Sequence, residues 1–217
     1  AAALSPSQYA KAIKTASITC GLTNIRIIRK VIKAANRILV NRDLSSAIQA
    51  RVVPSIVLLS AIHYKGLIEG PDFQFVLGVG SASDWAEFAR DRDHEPTEEE
   101  KLRSKWRMLV RELGILGCDE FEAMVVHFLE SGLFDEADLV ATIDRYIAEN
   151  QQMEAREKVS QFLFKELWDH RISEDQIIAE ALELPKIAGL LDPYAATQLQ
   201  ESLSEYPNGA DIGQDII

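Results

Sequence analysis

The residues best suited to chemistry are five cations spaced along one predicted helix. In the stretch GLTNIRIIRKVIKAANRIL (residues 21–39), a turn of about 100° per residue places all five within an arc of about 100°. We call them the basic ridge: Arg26, Arg29, Lys30, Lys33 and Arg37. Guanidinium and ammonium groups so arranged bind anions, above all phosphate and carboxylate oxygens, through charge-assisted hydrogen bonds.

The helix that must position the ridge is amphipathic. Its apolar side chains fall on the opposite arc, which predicts a packing face that contains Ile25, Ile28, Ile32, Ala35 and Leu39. Thr23 is the predicted N-cap, since its side-chain oxygen can accept from the free amides of the first turn. The helix dipole disfavours cations near a helix start, so solvent, an acidic surface or a phosphate must balance this charge.

The charge of the chain is uneven. Residues 1–65 contain ten basic residues and one acidic residue, whereas the rest has a net charge of −20, which gives −11 for the 217 residues. Such asymmetry indicates that the two parts attract each other or face different partners. The acidic total makes the chain a poor non-specific ligand for nucleic acid, so the composition disfavours a nucleic-acid partner.

Other kinds of catalytic or metal site find little support in the sequence. The phosphate-binding pattern GxxxxGK[ST] does not occur, and the glycines between residues 66 and 80 indicate a plain loop. Cys20 and Cys118 are expected to be structural, and the cluster DRDHE (residues 91–95) is expected to be a solvated charge run. The sequence therefore predicts no catalytic residue, no metal ligand and no cofactor held by this chain alone.

Helical patterns cover nearly the whole chain, so we expect an all-α fold, either an irregular helical bundle or stacked helical hairpins. The change of charge predicts a basic helical subdomain (1–65), a glycine-rich linker (66–82) and an acidic helical domain (83–217). A late helix is expected to bury Met153, Val159, Phe162, Phe164 and Leu167, and the tail from residue 210 is expected to be loose. The three tryptophans are expected to be core anchors: Trp85, Trp106 and Trp168.

The cellular setting is expected to be the cytoplasm. Two cysteines without a CxxC pair do not form a disulfide framework, which favours a reducing compartment. Apolar runs stay well short of the 18 or so residues that would span a bilayer, so no membrane partner is expected. The chain does not begin with Met, which favours a fragment of a longer protein.

The stretch LTNIRIIRKVIKAANRIL resembles the start of the helical lid that follows the nucleotide-binding core in AAA+ and related P-loop NTPases, including the KAP type. In those families an arginine in the first turn, the sensor-2 arginine, reaches the outer phosphate of the nucleotide. Asn24 and Arg26 match the asparagine and arginine of that pattern, while Thr23 stands where glycine is common. The resemblance implies a nucleotide-binding role for Arg26 and Asn24, with Arg29 and Lys30 as the next candidates.

This resemblance gives the first hypothesis: the chain is the C-terminal lid or regulatory region of a larger P-loop ATPase. It would sense the nucleotide state and mediate assembly, while ATP and Mg²⁺ would be bound mainly by an upstream core outside this chain. The alternative is a non-enzymatic helical adaptor whose ridge binds an acidic protein surface or its own acidic half. A nucleic-acid binder through residues 11–42 is a third alternative, and homo-oligomerisation stays open.

Overall fold

The described part of the chain is mostly helical. The computed structural model describes residues 7–40, 42–81, 97–133, 135–169 and 171–216, and these contain no strand. The α-helices are α1 (Ala10–Thr19), α2 (Ile25–Leu39), α3 (Ser46–His63), α4 (Phe73–Leu77), α5 (Glu98–Glu112), α6 (Glu120–Ser131), α7 (Glu136–Trp168), α8 (Glu174–Ala181), α9 (Pro193–Ser204) and α10 (Ala210–Gln214), with a 3₁₀ helix at Leu184–Leu190. The all-α prediction is confirmed.

The chain divides into two compact units, residues 1–143 and residues 144–217, called here the N-terminal and the C-terminal unit. The division falls within α7, at a different place from the glycine-rich linker expected at residues 66–82. Part of that expected linker is the short helix α4, which packs against α6 of the N-terminal unit. The charge pattern thus changes within one packed unit, because core contacts rather than surface charges decide which segments fold together.

The N-terminal unit is built around α3, which contacts α1, α2 and α6. Ten residues of this helix are buried, and it continues through Pro54 as one helix. Among the described residues, α3 is the one helix that is long and apolar enough to cross a membrane. The buried core helix of a globular unit can have the same length and composition. Tyr9 fixes the start of α1, because its buried hydroxyl donates a hydrogen bond of 2.6 Å to the Arg42 carbonyl. Arg42 follows the end of α2.

The C-terminal unit packs the end of α7 against α8, the 3₁₀ helix, α9 and α10. Its core includes Val159, Phe162, Leu199 and Leu203, which are at most 5% exposed. The prediction of a loose tail was wrong, because α10 forms at Ala210–Gln214 and both Ile212 and Ile216 are buried in this core. Ile212 lies in α10 and Ile216 lies just after it, and the burial of both side chains holds the tail in place.

Several helix ends lie where cap residues predict them. Thr97 with Glu100 and Ser173 with Gln176 form reciprocal capping boxes at the starts of α5 and α8. Asp192 caps α9 ahead of Pro193, which occupies the first helical position. Gly132 ends α6 in the left-handed conformation at φ 77°, where glycine has no side chain to clash.

Helix α7 departs most from the sequence prediction. It is one helix of 33 residues. Val159 and Phe162 are buried as predicted, but Met153, Phe164 and Leu167 are more than half exposed. Trp168 is 69% exposed, so its predicted role as a core anchor was wrong. Trp106 is half-buried and donates from Nε1 to the Glu69 carbonyl at 2.7 Å, and Trp85 lies outside the described residues.

Candidate anion-binding site

The basic ridge forms a continuous exposed stripe on α2. All five cations are exposed, and they extend over about 16 Å of helix axis at about 1.5 Å per residue. Arg37 lies in the last turn, where the helix dipole favours a cation, whereas Arg26 lies in the first turn, where the dipole opposes one.

The start of α2 is capped by Asn24, so the prediction of Thr23 as the cap was wrong. The Asn24 Oδ1 atom accepts from the backbone N–H of Arg26 at 2.9 Å, and Asn24 has the extended backbone that suits an N-cap. This hydrogen bond gives the Asn-x-Arg spacing a local structural explanation. It also fixes the backbone from which the Arg26 side chain extends into solvent.

The opposite face of α2 anchors the ridge to the core. Ile32, Ala35 and Leu39 are buried as predicted, together with Val31, Ala34 and Ile38. Ile25 is 63% exposed and Ile28 is half-buried, so the predicted packing face was wrong for the first turn. Because α2 packs on α3 through its later turns, the ridge stands on a rigid support while the first turn protrudes.

The ridge cations have no ion-pair partner among the described residues. Lys30 is held in part by an aromatic contact, with its Nζ atom 4.5 Å from the centre of the Tyr64 ring. Like charges three or four residues apart on a helix destabilise it by about 0.2–0.5 kcal/mol per pair, and the ridge contains five such pairs. The repulsion therefore amounts to about 1–2.5 kcal/mol at low salt, which an anionic partner would relieve.

The four predicted nucleotide-binding residues meet at one end of this stripe. Arg26, Arg29 and Lys30 are exposed side by side on the first turns of α2, and Asn24 lies directly before them. The side-chain oxygen of Asn24 is engaged in the cap, so its amide nitrogen is the atom left to contact an anion. A nucleotide-binding role for these residues stays a prediction.

A buried ionic cluster, absent from the sequence prediction, joins α3 to α6. The Glu122 carboxylate is fully buried and is bound by Arg51 through two nitrogens at 2.5 and 3.2 Å. The Ser55 hydroxyl donates to the same carboxylate at 2.6 Å, and the Asp119 backbone N–H donates at 3.0 Å. The spacing Asp119-x-x-Glu122 is a capping box, and this was the signal that could have revealed Glu122.

This cluster satisfies itself and holds the two helices together. Both Glu122 oxygens are occupied by these donors, and the Ser55 hydroxyl is buried with the carboxylate. A catalytic serine needs a base that can take its proton while it attacks a substrate in an accessible site. The buried arrangement fits a structural role.

Both thiols are poor nucleophiles at neutral pH. Burial raises the pKa of the Cys20 thiol to about 12. Burial also raises the pKa of the Cys118 thiol to about 12, with a further contribution from the nearby Glu122 carboxylate. The thiolate is the reactive form, so both cysteines are inert in the folded chain, which agrees with the structural role expected from the sequence.

An open groove of about 480 Å³ lies between α1, α3 and the end of α5. Its walls are mostly small or apolar, as at Ala12, Ala16, Ala50 and Leu113, with Lys11 and Glu112 also lining it. Among the described residues that line the groove there is neither histidine nor cysteine, so they offer no nucleophile paired with a histidine base.

Metal ligation has no support in the described part of the chain. Among those residues there is no group of three or more His, Cys, Asp or Glu side chains that could hold an ion. The acidic cluster at residues 91–95 lies outside the described residues.

Comparison with known proteins gives no relative: no family model, no curated protein and no solved structure matches this chain.

Proposed function

We propose that this chain is the helical lid or regulatory region of a larger P-loop ATPase and that the basic ridge of α2 contacts the phosphates of the bound nucleotide. Arg26 is the residue that reads the nucleotide state, with Asn24, Arg29 and Lys30 beside it. Hydrolysis, ATP and Mg²⁺ belong to an upstream core outside this chain, in the cytoplasm.

The observation that carries the proposal is a row of exposed cations, without ion-pair partners among the described residues, on a helix whose other face is buried. A guanidinium on a rigid helix can make two parallel, charge-assisted hydrogen bonds to a phosphate. The described residues provide no carboxylate partner for the ridge, and its internal repulsion weakens the fold. A phosphate-binding surface must keep its cations available, and the exposed ridge meets that requirement.

The test compares two cations of the same ridge in the full-length gene product. Arg26→Ala should lower ATP turnover by about 100-fold or more, as the loss of a phosphate-contacting group does in a hydrolytic site. Lys33→Ala is the matched control, because Lys33 is also exposed but lies about 10 Å further along the axis at 1.5 Å per residue. Both variants should melt within a few degrees of the parent, since neither side chain is buried.

Three outcomes would contradict the proposal. Equal, mild effects of the two substitutions would reduce the ridge to a general electrostatic surface. A gene product without a Walker motif would exclude the ATPase core. Clear ATP turnover by the isolated 217-residue chain would show that this chain itself hydrolyses ATP, whereas the proposal assigns hydrolysis to an upstream core. Arg29→Ala and Lys30→Ala show whether a neighbouring cation takes the role of Arg26.

The length of the ridge favours a second candidate, a non-enzymatic adaptor that binds an acidic protein surface. The five cations extend over about 16 Å, further than one phosphate group can reach. In this case Arg26→Ala, Lys33→Ala and Arg37→Ala should weaken binding of an acidic helical peptide to similar extents. ATP turnover of the gene product should then be absent or unaffected by any of the three.

A further inference from the structure

A second surface lies in the C-terminal unit, at the end of α7. Phe164, Leu167 and Trp168 expose 66%, 59% and 69% of their surfaces. Their spacing of three and four residues places them within an arc of about 100° on the helix. We call these three side chains the apolar patch. Two aromatic rings of about 150–250 Å² each expose about 200–350 Å² at these fractions, and leucine adds to that.

The patch is the outer face of a helix that is already anchored. Ala155, Val159 and Phe162 are at most 5% exposed and fall on the opposite side of the helical wheel. Packing of α7 therefore does not require the patch. Earlier in the same helix Leu139 falls in the angular sector of the patch and is buried, but the residues between them in that sector include Glu149, Asn150 and Glu157. The patch is thus a separate apolar cluster at the C-terminal end of α7, where none of the described residues covers it.

An exposed patch of this size and composition is typical of a binding surface. Isolated surface hydrophobics need no explanation, but contiguous apolar areas of several hundred Å² mark contact sites. Tryptophan is also among the residues that most often dominate the energy of an interface. The patch is smaller than the roughly 800 Å² per partner that a stable interface buries, so it can form only the centre of one.

The charge around the patch selects the partner. The C-terminal unit contains six basic and fifteen acidic residues, a net charge of −9. The nearby cations add no net positive charge, because Lys165 pairs with Glu180 at 2.9 Å and Arg171 pairs with Asp169 at 2.8 Å. A second copy would place two surfaces of charge −9 against each other, so a homodimer through this face is disfavoured.

We propose that the apolar patch binds a basic amphipathic helix of another protein. The apolar side of that helix covers Phe164, Leu167 and Trp168, and its lysines or arginines complement the net negative charge of the unit. The patch residues are spaced at i, i+3 and i+4, which is the spacing of side chains through which one helix packs against the apolar face of another. This inference concerns the C-terminal unit and is independent of the nucleotide proposed for α2.

The experiment uses the full chain and two synthetic peptides of 18 residues. One peptide has an apolar face of leucines with lysines elsewhere, and the other has glutamates in place of the lysines. Titration calorimetry should show binding of the Leu/Lys peptide that Trp168→Ala weakens by at least about tenfold, as a central interface tryptophan does. Tyr194→Ala removes another exposed aromatic side chain of the same unit and should leave the binding unchanged.

The contrary outcomes are distinct. Binding of the Leu/Glu peptide that is equally sensitive to Trp168→Ala would overturn the basic partner. Insensitivity of the Leu/Lys peptide to Trp168→Ala would overturn the patch as its site. Dimerisation of the free chain in sedimentation, abolished by Trp168→Ala, would make a second copy the occupant. The basic ridge could attract the Leu/Glu peptide, but that binding would respond to Arg29→Ala rather than to Trp168→Ala.

Discussion

Removal of Arg51 from the buried cluster should destabilise the N-terminal unit strongly. Arg51→Met leaves the fully buried Glu122 carboxylate with the Ser55 hydroxyl and the Asp119 N–H as its main donors. Breaking one side of a buried ion pair costs about 3–5 kcal/mol. The Arg51 side chain is 30% exposed, so solvent moderates the loss, and we expect the free energy of unfolding to fall by about 2–4 kcal/mol.

The double variant Arg51→Met/Glu122→Leu separates the buried charge from the packing. With the carboxylate gone, Ser55 and the Asp119 N–H lose one acceptor, at about 1 kcal/mol each, while two apolar side chains fill the space. The double variant should therefore be less destabilised than Arg51→Met alone. A double variant as destabilised as the sum of the two single substitutions would refute the reasoning, because the charges would then act independently.

Urea unfolding followed by tryptophan fluorescence measures these differences. A Trp168→Phe background leaves Trp85 and Trp106, so the signal comes from the N-terminal unit. Lys101→Met is the matched control, since it removes an exposed pair with Glu98 on α5 and should cost less than about 1 kcal/mol. A loss for Arg51→Met as small as that of the control would show that the cluster contributes little.

Two further predictions concern backbone strain and thiol ionisation. Val40 ends α2 in the left-handed region at φ 46°, which is costly for a β-branched residue. Val40→Gly should therefore raise the free energy of unfolding by about 0.5–1 kcal/mol. A lower melting temperature for the variant would contradict this. Burial raises the pKa of the Cys20 and Cys118 thiols to about 12, whereas an unfolded thiol ionises near about 8.5. The unfolded chain then binds fewer protons than the folded chain, so the free energy of unfolding should fall as pH rises from about 8.5 towards 12. In urea titrations at several pH values, the free energy of unfolding of Cys20→Ala/Cys118→Ala should fall less steeply over this range. Equal slopes for parent and variant would contradict the burial of the thiols.

The sequence predicted those features that depend on local geometry. Helical periodicity and cap residues report interactions between neighbours in the chain, so the all-α class and the starts of α5, α8 and α9 were predictable. Asn24 shows the limit of this information. Two adjacent residues, Thr23 and Asn24, can both cap a helix, and the exact start depends on which backbone becomes extended.

The buried face of α7 could not be predicted because it changes along the helix. Leu139 and Ile143 are buried on one side of the wheel, and Val159 and Phe162 are buried on the opposite side. Averaged over 33 residues the apolar pattern cancels, so periodicity alone gives no single packing face. The Glu122 cluster was missed for a related reason, since its partners on α3 are 67 and 71 residues away in sequence.

The two exposed surfaces share a physical feature that makes them testable apart from the fold. The basic ridge and the apolar patch both lie on helices whose opposite faces are buried, so substitutions at either surface remove little packing. Their requirements for a ligand are opposite, because the ridge attracts anions and the C-terminal unit, at −9, attracts cations. One ligand of uniform charge cannot satisfy both. If Arg26→Ala and Trp168→Ala each abolish a different interaction and leave the melting temperature unchanged, the two surfaces bind different partners. The lid proposal then depends on the basic ridge alone.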